Sequence, residues 1–423
     1  MATTRRRLTR IAAAALLVLA GGCGPATPQT ITLTVATFGQ FGYDDLITGY
    51  EFSHPGIKIR KERAEQGGPY HQDLLAKLKT GQGLADVQAV EEGHLSDVLA
   101  QSAKLNDLAR IGPPDVRPDR WLGWKYDAGR AKDGKLVGYG TDIGPLAMCY
   151  RKDLLKAAGL PADPASVKAM FATWESYFTA GERYVRRSHG KPWFDSAAQN
   201  FNVMVNQLPV GYLDRDDRPT LETNTTIRAA WDQITAAIAQ GQSAGLTAFA
   251  DDGSNGLRMG GFATKVCPSW MLGVIEKEAG PDNAGKWAIT DAFPNGGGNW
   301  GGSYLTVPLA SEHPKEAAEL AAWLTAPEQQ LYAFRISGNF PSQVEAFESP
   351  DLLSEQNSYF GGALVGQTFV AQARKVGKPQ YKGPGDGEIQ ETVIAPALKA
   401  VEHGSDPGTA WQQVLAGVHR IVP

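Results

Sequence analysis

The sequence has few cysteines, few histidines and no long apolar run, and each shortage argues against a class of protein. Its 423 residues include three cysteines and seven histidines, and the histidines are scattered between positions 54 and 419. Neither an HExxH zinc motif nor a Walker phosphate loop is present. The apolar run from Ile11 to Ala20 would extend about 15 Å as a helix, half of a bilayer's hydrocarbon core. These features argue against a zinc enzyme, a nucleotide hydrolase and a transmembrane anchor.

Acidic residues outnumber basic residues outside the N-terminus. Four of the 41 lysines and arginines lie in the first ten residues, so the rest of the chain carries a net charge of about −8. No basic stripe remains, which argues against nucleic-acid binding. With 42% hydrophobic and 20% charged residues the composition is that of a globular protein, and the length suggests two domains.

The N-terminus has the pattern of an export signal. A positive segment, Arg5 to Arg10, precedes the apolar run, and small residues precede Cys23. The pattern resembles a bacterial lipoprotein signal, although Leu19 stands four rather than three residues before the cysteine. The resemblance implies a signal peptide at 1–22, exported by the Sec or the twin-arginine route, lipidation of Cys23 and a tether at 23–30. We expect the mature protein at the extracellular face of the cytoplasmic membrane.

The two other cysteines suggest a disulfide. If Cys23 carries lipid, Cys149 and Cys267 remain as one pair in an oxidising compartment. Both lie in apolar, strand-like runs. We predict a bond between them, and two free buried thiols are the alternative.

After the tether the chain alternates strands and helices. The pattern predicts strands at 31–36, 57–63 and 84–90, and helices at 44–52 and 70–79. Three strand-helix units in a row indicate a parallel sheet with right-handed crossovers. The ends of such strands face the ligand crevice of open α/β sheets, and Gln40, Gln66 and Glu91 follow these three strands.

A glycine-rich stretch from Phe293 to Pro308 combines an aromatic ring with hydrogen-bonding groups. It contains Asn299, Trp300 and Ser303 among five glycines. Glycine lets a ligand or another chain segment approach the backbone closely. The stretch therefore suits a binding site, and a hairpin whose tryptophan belongs to the core is the alternative.

Several motifs, taken in order, resemble extracellular solute-binding proteins of carbohydrate ABC transporters, family 1 type. They lie at 54–59, 81–87, 150–161, 173–175, 323–330 and 338–342. The resemblance covers nearly the whole mature chain. It implies an α/β, two-lobed periplasmic-binding-protein-like fold with crossing hinge strands and a ligand cleft between the lobes. We assign residues 31–141 and 304–345 to lobe 1 and residues 142–303 and 346–423 to lobe 2.

The same resemblance implies that the chain binds a sugar and delivers it to the permease subunits of an ABC importer. Binding a sugar from water requires flat aromatic surfaces and planar polar groups. Trp270 stands where this family commonly stacks an aromatic residue on a sugar ring, and Trp300 is the second candidate platform. The other predicted contacts are Gln40, Gln66, Glu91, Asp142, Asn299, Gly301, Gly302 and Ser303.

No catalytic residue, cofactor or metal is expected. The segment 251–256 resembles the start of a calcium loop, but Phe262 stands at the twelfth position, where a glutamate is required. A secreted glycoside hydrolase with two acidic residues as acid and nucleophile remains an alternative function. So does a binder of a peptide or another polar solute. Among carbohydrates, 300–304 and 271–273 resemble actinobacterial binders of β-gluco-oligosaccharides such as cellobiose.

Overall fold

The computed structural model describes residues 30–247, 249–377 and 380–422. The predicted signal peptide and Cys23 lie outside these residues. The strands are β1 (Ile31–Phe38), β2 (Ile57–Ala64), β3 (Val87–Glu91), β4 (Gly138–Gly140), β5 (Asp142–Ile143), β6 (Leu146–Arg151), β7 (Thr264–Pro268), β8 (Trp287–Thr290), β9 (Ser303–Thr306), β10 (Phe340–Pro341), β11 (Gln356–Asn357) and β12 (Ala363–Leu364).

Helices connect and cover the strands. Those before β7 are α1 (Asp44–Ser53), α2 (Gly67–Thr80), α3 (Glu92–Leu99), α4 (Leu108–Ile111), α5 (Gly123–Ala128), α6 (Lys152–Ala157), α7 (Pro164–Met170), α8 (Trp174–Arg187), α9 (Ala197–Asn206), α10 (Thr225–Ala239) and α11 (Asp251–Met259). Those after it are α12 (Met271–Ala279), α13 (Pro314–Leu324), α14 (Pro327–Ser337), α15 (Pro350–Leu353), α16 (Val365–Ala373), α17 (Asp386–Glu388), α18 (Ala395–Glu402) and α19 (Pro407–Ile421). A π-helical segment, Ile389–Ile394, joins α17 to α18.

The first sheet has the strand order β2-β1-β3-β9-β4. Strands β2, β1 and β3 are parallel, as the three strand-helix units predict. Strand β9, which comes from much later in the chain, inserts between β3 and β4 and is antiparallel to both. One core cluster on this sheet includes Leu33 of β1, Val87 of β3, Leu305 of β9 and Leu320 of α13.

The second sheet has β6 at its centre, antiparallel to β7 and β8. Side chains of β6 alternate between two core clusters, with Met148 in one and Cys149 in the other, so both faces of the sheet are covered. Cys149 of β6 and Cys267 of β7 form the predicted disulfide, with their Cα atoms 5.5 Å apart.

The chain passes between the two sheets at several points, which gives the two-lobed α/β architecture. The short strand β5 leads from β4 to β6, and residues 291–302 lead back from β8 to β9. Strand β10 pairs with β5, with Ile143 opposite Phe340 and Asp142 opposite Pro341. These paired crossings match the predicted hinge strands.

Residues near the predicted boundary of lobe 1 contact both sheets. Phe334 and Phe340 lie in a core cluster of the second sheet, although our boundary for lobe 1 extends to residue 345. Tyr332 of α14 nevertheless donates a hydrogen bond to Asp45 of α1 (2.6 Å). Helix α14 therefore contacts both sides, and the division into lobes stays a prediction.

Three observations bear on a membrane span and on a metal site. Among the described residues, no helix is both long and apolar enough to cross a membrane. The calcium-like segment 251–256 forms the first turns of α11. Within the part of the chain that the structure describes, no group of three or more His, Cys, Asp or Glu side chains is arranged to hold a metal.

Candidate functional site

Four of the predicted residues form a cluster where the chain crosses between the sheets. We call Asp142, Asn299, Gly302 and Ser303 the crossing cluster. The carboxylate of Asp142, which is 6% exposed, accepts hydrogen bonds from the Ser303 backbone N–H (2.9 Å) and from the Thr141 hydroxyl. Burial raises the pKa of Asp142. The carboxylate therefore serves to join the outgoing and returning crossings.

Close packing explains the glycine at position 302. Its φ is +94°, a left-handed conformation that favours glycine. A Cβ atom there would lie 2.5 Å from the backbone oxygen of Asp142 and 2.9 Å from the Cα of Ile143. Gly302 therefore allows the returning chain to pass directly against β5.

Asn299 braces the glycine-rich stretch with both ends of its amide. Its oxygen accepts a hydrogen bond from the Gly144 N–H (2.8 Å), and its nitrogen donates to the Gly301 oxygen (2.9 Å) and to the Glu92 carboxylate. The Trp300 N–H donates in turn to the Gly144 oxygen (2.8 Å). These bonds fix the backbone that carries Trp300.

Three aromatic rings lie next to one another beside this crossing. The rings of Trp270 and Trp300 have centroids 5.6 Å apart at an interplanar angle of 71°, and Phe249 lies 6.0 Å from Trp270 at 35°. We call these three residues the aromatic patch. Both tryptophans are half-buried, resting on different core clusters, and Phe249 is 62% exposed. The patch therefore leaves aromatic surface available to a ligand.

Glu91 of the first sheet comes close to Trp270 of the second at Gly301. A Cβ atom on Gly301 would lie 3.3 Å from Trp270 Nε1 and 3.6 Å from Glu91 Oε1. The other carboxylate oxygen of Glu91 accepts a hydrogen bond from the Gly93 N–H (2.8 Å) at the start of α3. The structure thus brings together an acidic strand end and an aromatic ring from opposite sheets.

His71, which no motif singled out, positions Glu91. The Nδ1 of this buried ring lies 2.7 Å from the Gly67 oxygen, and the Nε2 accepts a hydrogen bond from the Glu91 N–H (2.9 Å). Such a pair of bonds requires a neutral ring that donates through Nδ1. Burial, together with the neighbouring His94, lowers the pKa of His71 to about 3. An uncharged imidazole therefore ties the first turn of α2 to the end of β3.

Lys125 places a positive charge under the crossing. Its ammonium lies 3.7 Å from the centroid of the Tyr304 ring, and the side chain is fully buried. Burial lowers the pKa of Lys125 to about 8. The nearby carboxylates of Glu92, Asp142 and Glu91 act in the other direction and raise it. Burial raises the pKa of Glu92. The lysine balances the carboxylates that the crossing brings together.

Gln40 and Gln66 lie at the ends of β1 and β2, as predicted, and both are exposed. The Gln40 side chain accepts a hydrogen bond from Arg63 (3.3 Å), and its backbone oxygen accepts one from Asn339 (2.9 Å). Gln66 precedes the first residue of α2. Neither belongs to the crossing cluster or the aromatic patch. Gln40 instead lines a cavity of about 350 Å³ with Lys61, Arg63 and Glu65.

Helix α3 also contacts the C-terminal part of the chain. Asp97 accepts a hydrogen bond from the Gly385 N–H (2.9 Å), and Ser96 donates one to the Gly383 oxygen (2.8 Å). His94 lies 3.6 Å from the carboxylate of Glu391 in the π-helical segment. These contacts join the strand end that carries Glu91 to the C-terminal segment.

Two sheets joined by paired crossings, with an aromatic patch beside them, define a two-lobed α/β binding protein. The chain belongs to the bacterial extracellular solute-binding protein family, whose model matches residues 45–357. A crystal structure of an extracellular solute-binding protein family 1 member is 45% identical to it. That structure has a TM-score of 0.86 and covers 93% of this chain and 100% of its own.

More distant relatives have names that mention sugars. The arabinooligosaccharide-binding protein of Bacillus subtilis (strain 168) is 28% identical over 372 residues, which are 81% of each chain. The ABC transporter associated binding protein from B. animalis subsp. lactis Bl-04 was solved in complex with β-1,6-galactobiose. It is 18% identical with a TM-score of 0.77, covers 93% of this chain and 97% of its own, and shows the same fold.

Proposed function

We propose that this chain is the substrate-binding component of an ABC importer, which captures an oligosaccharide between its lobes and delivers it to a membrane permease. The observation that carries the proposal is the aromatic patch beside the crossing, since Trp270 and Trp300 leave aromatic surface exposed. Aromatic rings cover the apolar C–H faces of a sugar, and a few polar groups fix its orientation. The family and the names of the relatives support the same substrate class.

The contacts we propose divide into two kinds. Trp270 and Trp300 provide the platforms, and Glu91, Gln40 and Gln66 provide polar groups from the strand ends. The crossing cluster and Gly301 set the backbone geometry of the site. A charge-assisted hydrogen bond contributes ~1.5–3 kcal/mol, and a micromolar complex needs ~8 kcal/mol in total. Two stacked rings, a charge-assisted bond to Glu91 and neutral bonds to the two glutamines are of this size.

Lobe closure is the proposed signal to the permease. A ligand that contacts Glu91 of the first sheet and Trp270 of the second favours the state in which the two are close. The paired strands β5 and β10 are the hinge about which such closure would occur. Lipidation of Cys23 would hold the exported protein at the extracellular face of the membrane, next to its permease.

The protein acts, in this proposal, without catalysis. The Asp142 carboxylate is buried and bound by a backbone N–H and a hydroxyl, and one oxygen of Glu91 is bound at the start of α3. The Asp142 carboxylate is thus engaged in holding the chain, whereas only one of the two oxygens of Glu91 is. A glycoside hydrolase would need two carboxyl groups flanking the bond to be cleaved.

A thermal-shift screen of the chain from residue 24 tests the function. The panel contains monosaccharides, arabino-, β-1,6-galacto- and cello-oligosaccharides, amino acids and short peptides. A ligand at a hundredfold excess over its Kd adds ~2.7 kcal/mol, so we expect one sugar class to raise the Tm by several degrees. Thin-layer chromatography should recover that sugar unchanged. Cleavage would establish the hydrolase instead, and stabilisation by peptides or amino acids alone would refute the sugar assignment.

A further inference from the structure

Phe249 is an exposed aromatic residue that the proposed contacts do not include. Its side chain is 62% exposed, and its ring lies 6.0 Å from that of Trp270 at an angle of 35°. Leu246 of the same loop packs against a core cluster of the second sheet. Phe249 therefore presents most of its ring to solvent at the edge of the aromatic patch.

The backbone at Phe249 is strained. Its φ is +59°, and the Ala250 N–H donates a hydrogen bond to the Thr247 oxygen (3.3 Å) across the turn. A positive φ favours glycine or asparagine, and a bulky side chain in that conformation is an outlier. The Asp252 carboxylate holds the turn by accepting a hydrogen bond from the Thr247 N–H (2.9 Å). Strained residues that their surroundings hold in place are concentrated at ligand clamps.

The ring angles indicate what such a residue could contact. Trp270 and Trp300 meet at 71° and form a corner, so one flat sugar ring cannot lie against both faces. Phe249 and Trp270 have centroids 6.0 Å apart and are tilted by only 35°, so their planes are closer to parallel than those of the two tryptophans. A ligand unit that extends from Trp270 towards this side would come within reach of Phe249.

We propose that Phe249 is a ligand-contacting residue that packs against a sugar unit beyond the one on Trp270, so that the site prefers oligosaccharides of three or more units to disaccharides. The inference rests on the proposed function and adds the length of the ligand to it. The hydrogen bonds on either side of Phe249 hold the backbone that carries the ring before the ligand binds.

Phe249→Asn is the variant of choice, because asparagine tolerates the left-handed turn and removes the ring. Phe249→Tyr keeps a ring, and Phe52→Ala removes an 89% exposed phenylalanine from α1 as the matched control. Calorimetry would measure Kd for arabino-, β-1,6-galacto- and cello-oligosaccharides of two to five units. The Tm of each unliganded variant reports its folding.

We expect Phe249→Asn to weaken the binding of oligosaccharides of three or more units by ~10-fold. The affinity for disaccharides should change less than ~2-fold. Phe249→Tyr and Phe52→Ala should bind every length as the wild type does. An equal loss at all lengths, no loss at any length, or a wild type that gains no affinity beyond two units would overturn the inference and leave the proposed function standing. A wild type that binds no sugar would refute the proposed function itself.

Discussion

The crossing cluster and the aromatic patch are adjacent and share the stretch from Asn299 to Ser303. Their side chains differ in whether they bind the protein itself or remain exposed to solvent. In the crossing cluster, Asp142 and Asn299 direct their polar atoms to backbone groups of the protein itself. In the aromatic patch, Trp270, Trp300 and Phe249 retain exposed surface. The polar groups thus shape the site, and the rings remain free to bind a ligand. Substitutions in the two regions should therefore separate stability from affinity.

The largest effect is expected at Gly302. A Cβ atom 2.5 Å from a backbone oxygen, added at φ +94°, combines a clash with strain. We expect Gly302→Ala to lower the free energy of unfolding by about 3–5 kcal/mol in urea titrations. Gly296→Ala is the control, because Gly296 also has positive φ (+108°) but open space around the added atom. It should lose only about 1 kcal/mol. Equal losses would show that the close approach at Gly302 is unimportant.

At Trp270 we expect the main effect to be on ligand affinity. Removing its ring in Trp270→Ala should weaken sugar binding by about 2 kcal/mol, or about thirty-fold, measured by calorimetry. Trp124→Ala is the matched control, since Trp124 is also half-buried and packs against the same core cluster but lies outside the patch. Its affinity should stay within about twofold of wild type. A similar loss of affinity in both variants would mean that the effect is one of packing.

Lys125 should make the free energy of unfolding depend on pH in the alkaline range, whereas the aromatic patch should not. Because burial lowers its folded-state pKa to about 8, the unfolded chain binds more protons between about pH 8 and 10. The free energy of unfolding of the wild type should therefore rise with pH through this window, by about 1–2 kcal/mol relative to Lys125→Met. Urea titrations at pH 7, 8, 9 and 10 measure the difference. Trp270→Ala should follow the wild-type profile, and parallel curves for wild type and Lys125→Met would contradict the assignment.

Local signals explain why much of the fold could be predicted. Asparagine is a residue type that favours the first position of a helix, and the Asn224 side chain accepts hydrogen bonds from the N–H groups of Thr226 and Ile227 at the start of α10. The alternation of strands and helices predicted the parallel core of the first sheet. Boundaries were less accurate: α2 begins at Gly67 instead of Tyr70, and β3 begins at Val87 instead of Leu84. Helix ends depend on single hydrogen bonds that periodicity does not encode.

The site was harder to predict, because its contacts join distant parts of the chain. The sequence suggested Trp270 and Trp300 separately, and only the fold shows that their rings touch. The bond from Ser303 to Asp142 spans 161 residues, so nothing near either residue indicates that this carboxylate braces the crossing. Phe249 lies in a loop, where no hydrophobic period marks it. His71 was predicted within a helix, but its bond to Glu91 depends on how that helix lies on the sheet.

The position of β9 also has a consequence for how the protein is made. This strand occupies the space between β3 and β4, yet it begins at Ser303, more than 160 residues after β4 ends. As the chain emerges N-terminus first, the facing edges of β3 and β4 remain unpaired until Ser303–Thr306 has appeared. Unpaired strand edges readily pair with other chains. The newly made polypeptide therefore passes through a period in which its first sheet is incomplete and open to aggregation, and a chaperone that covers this gap would protect it.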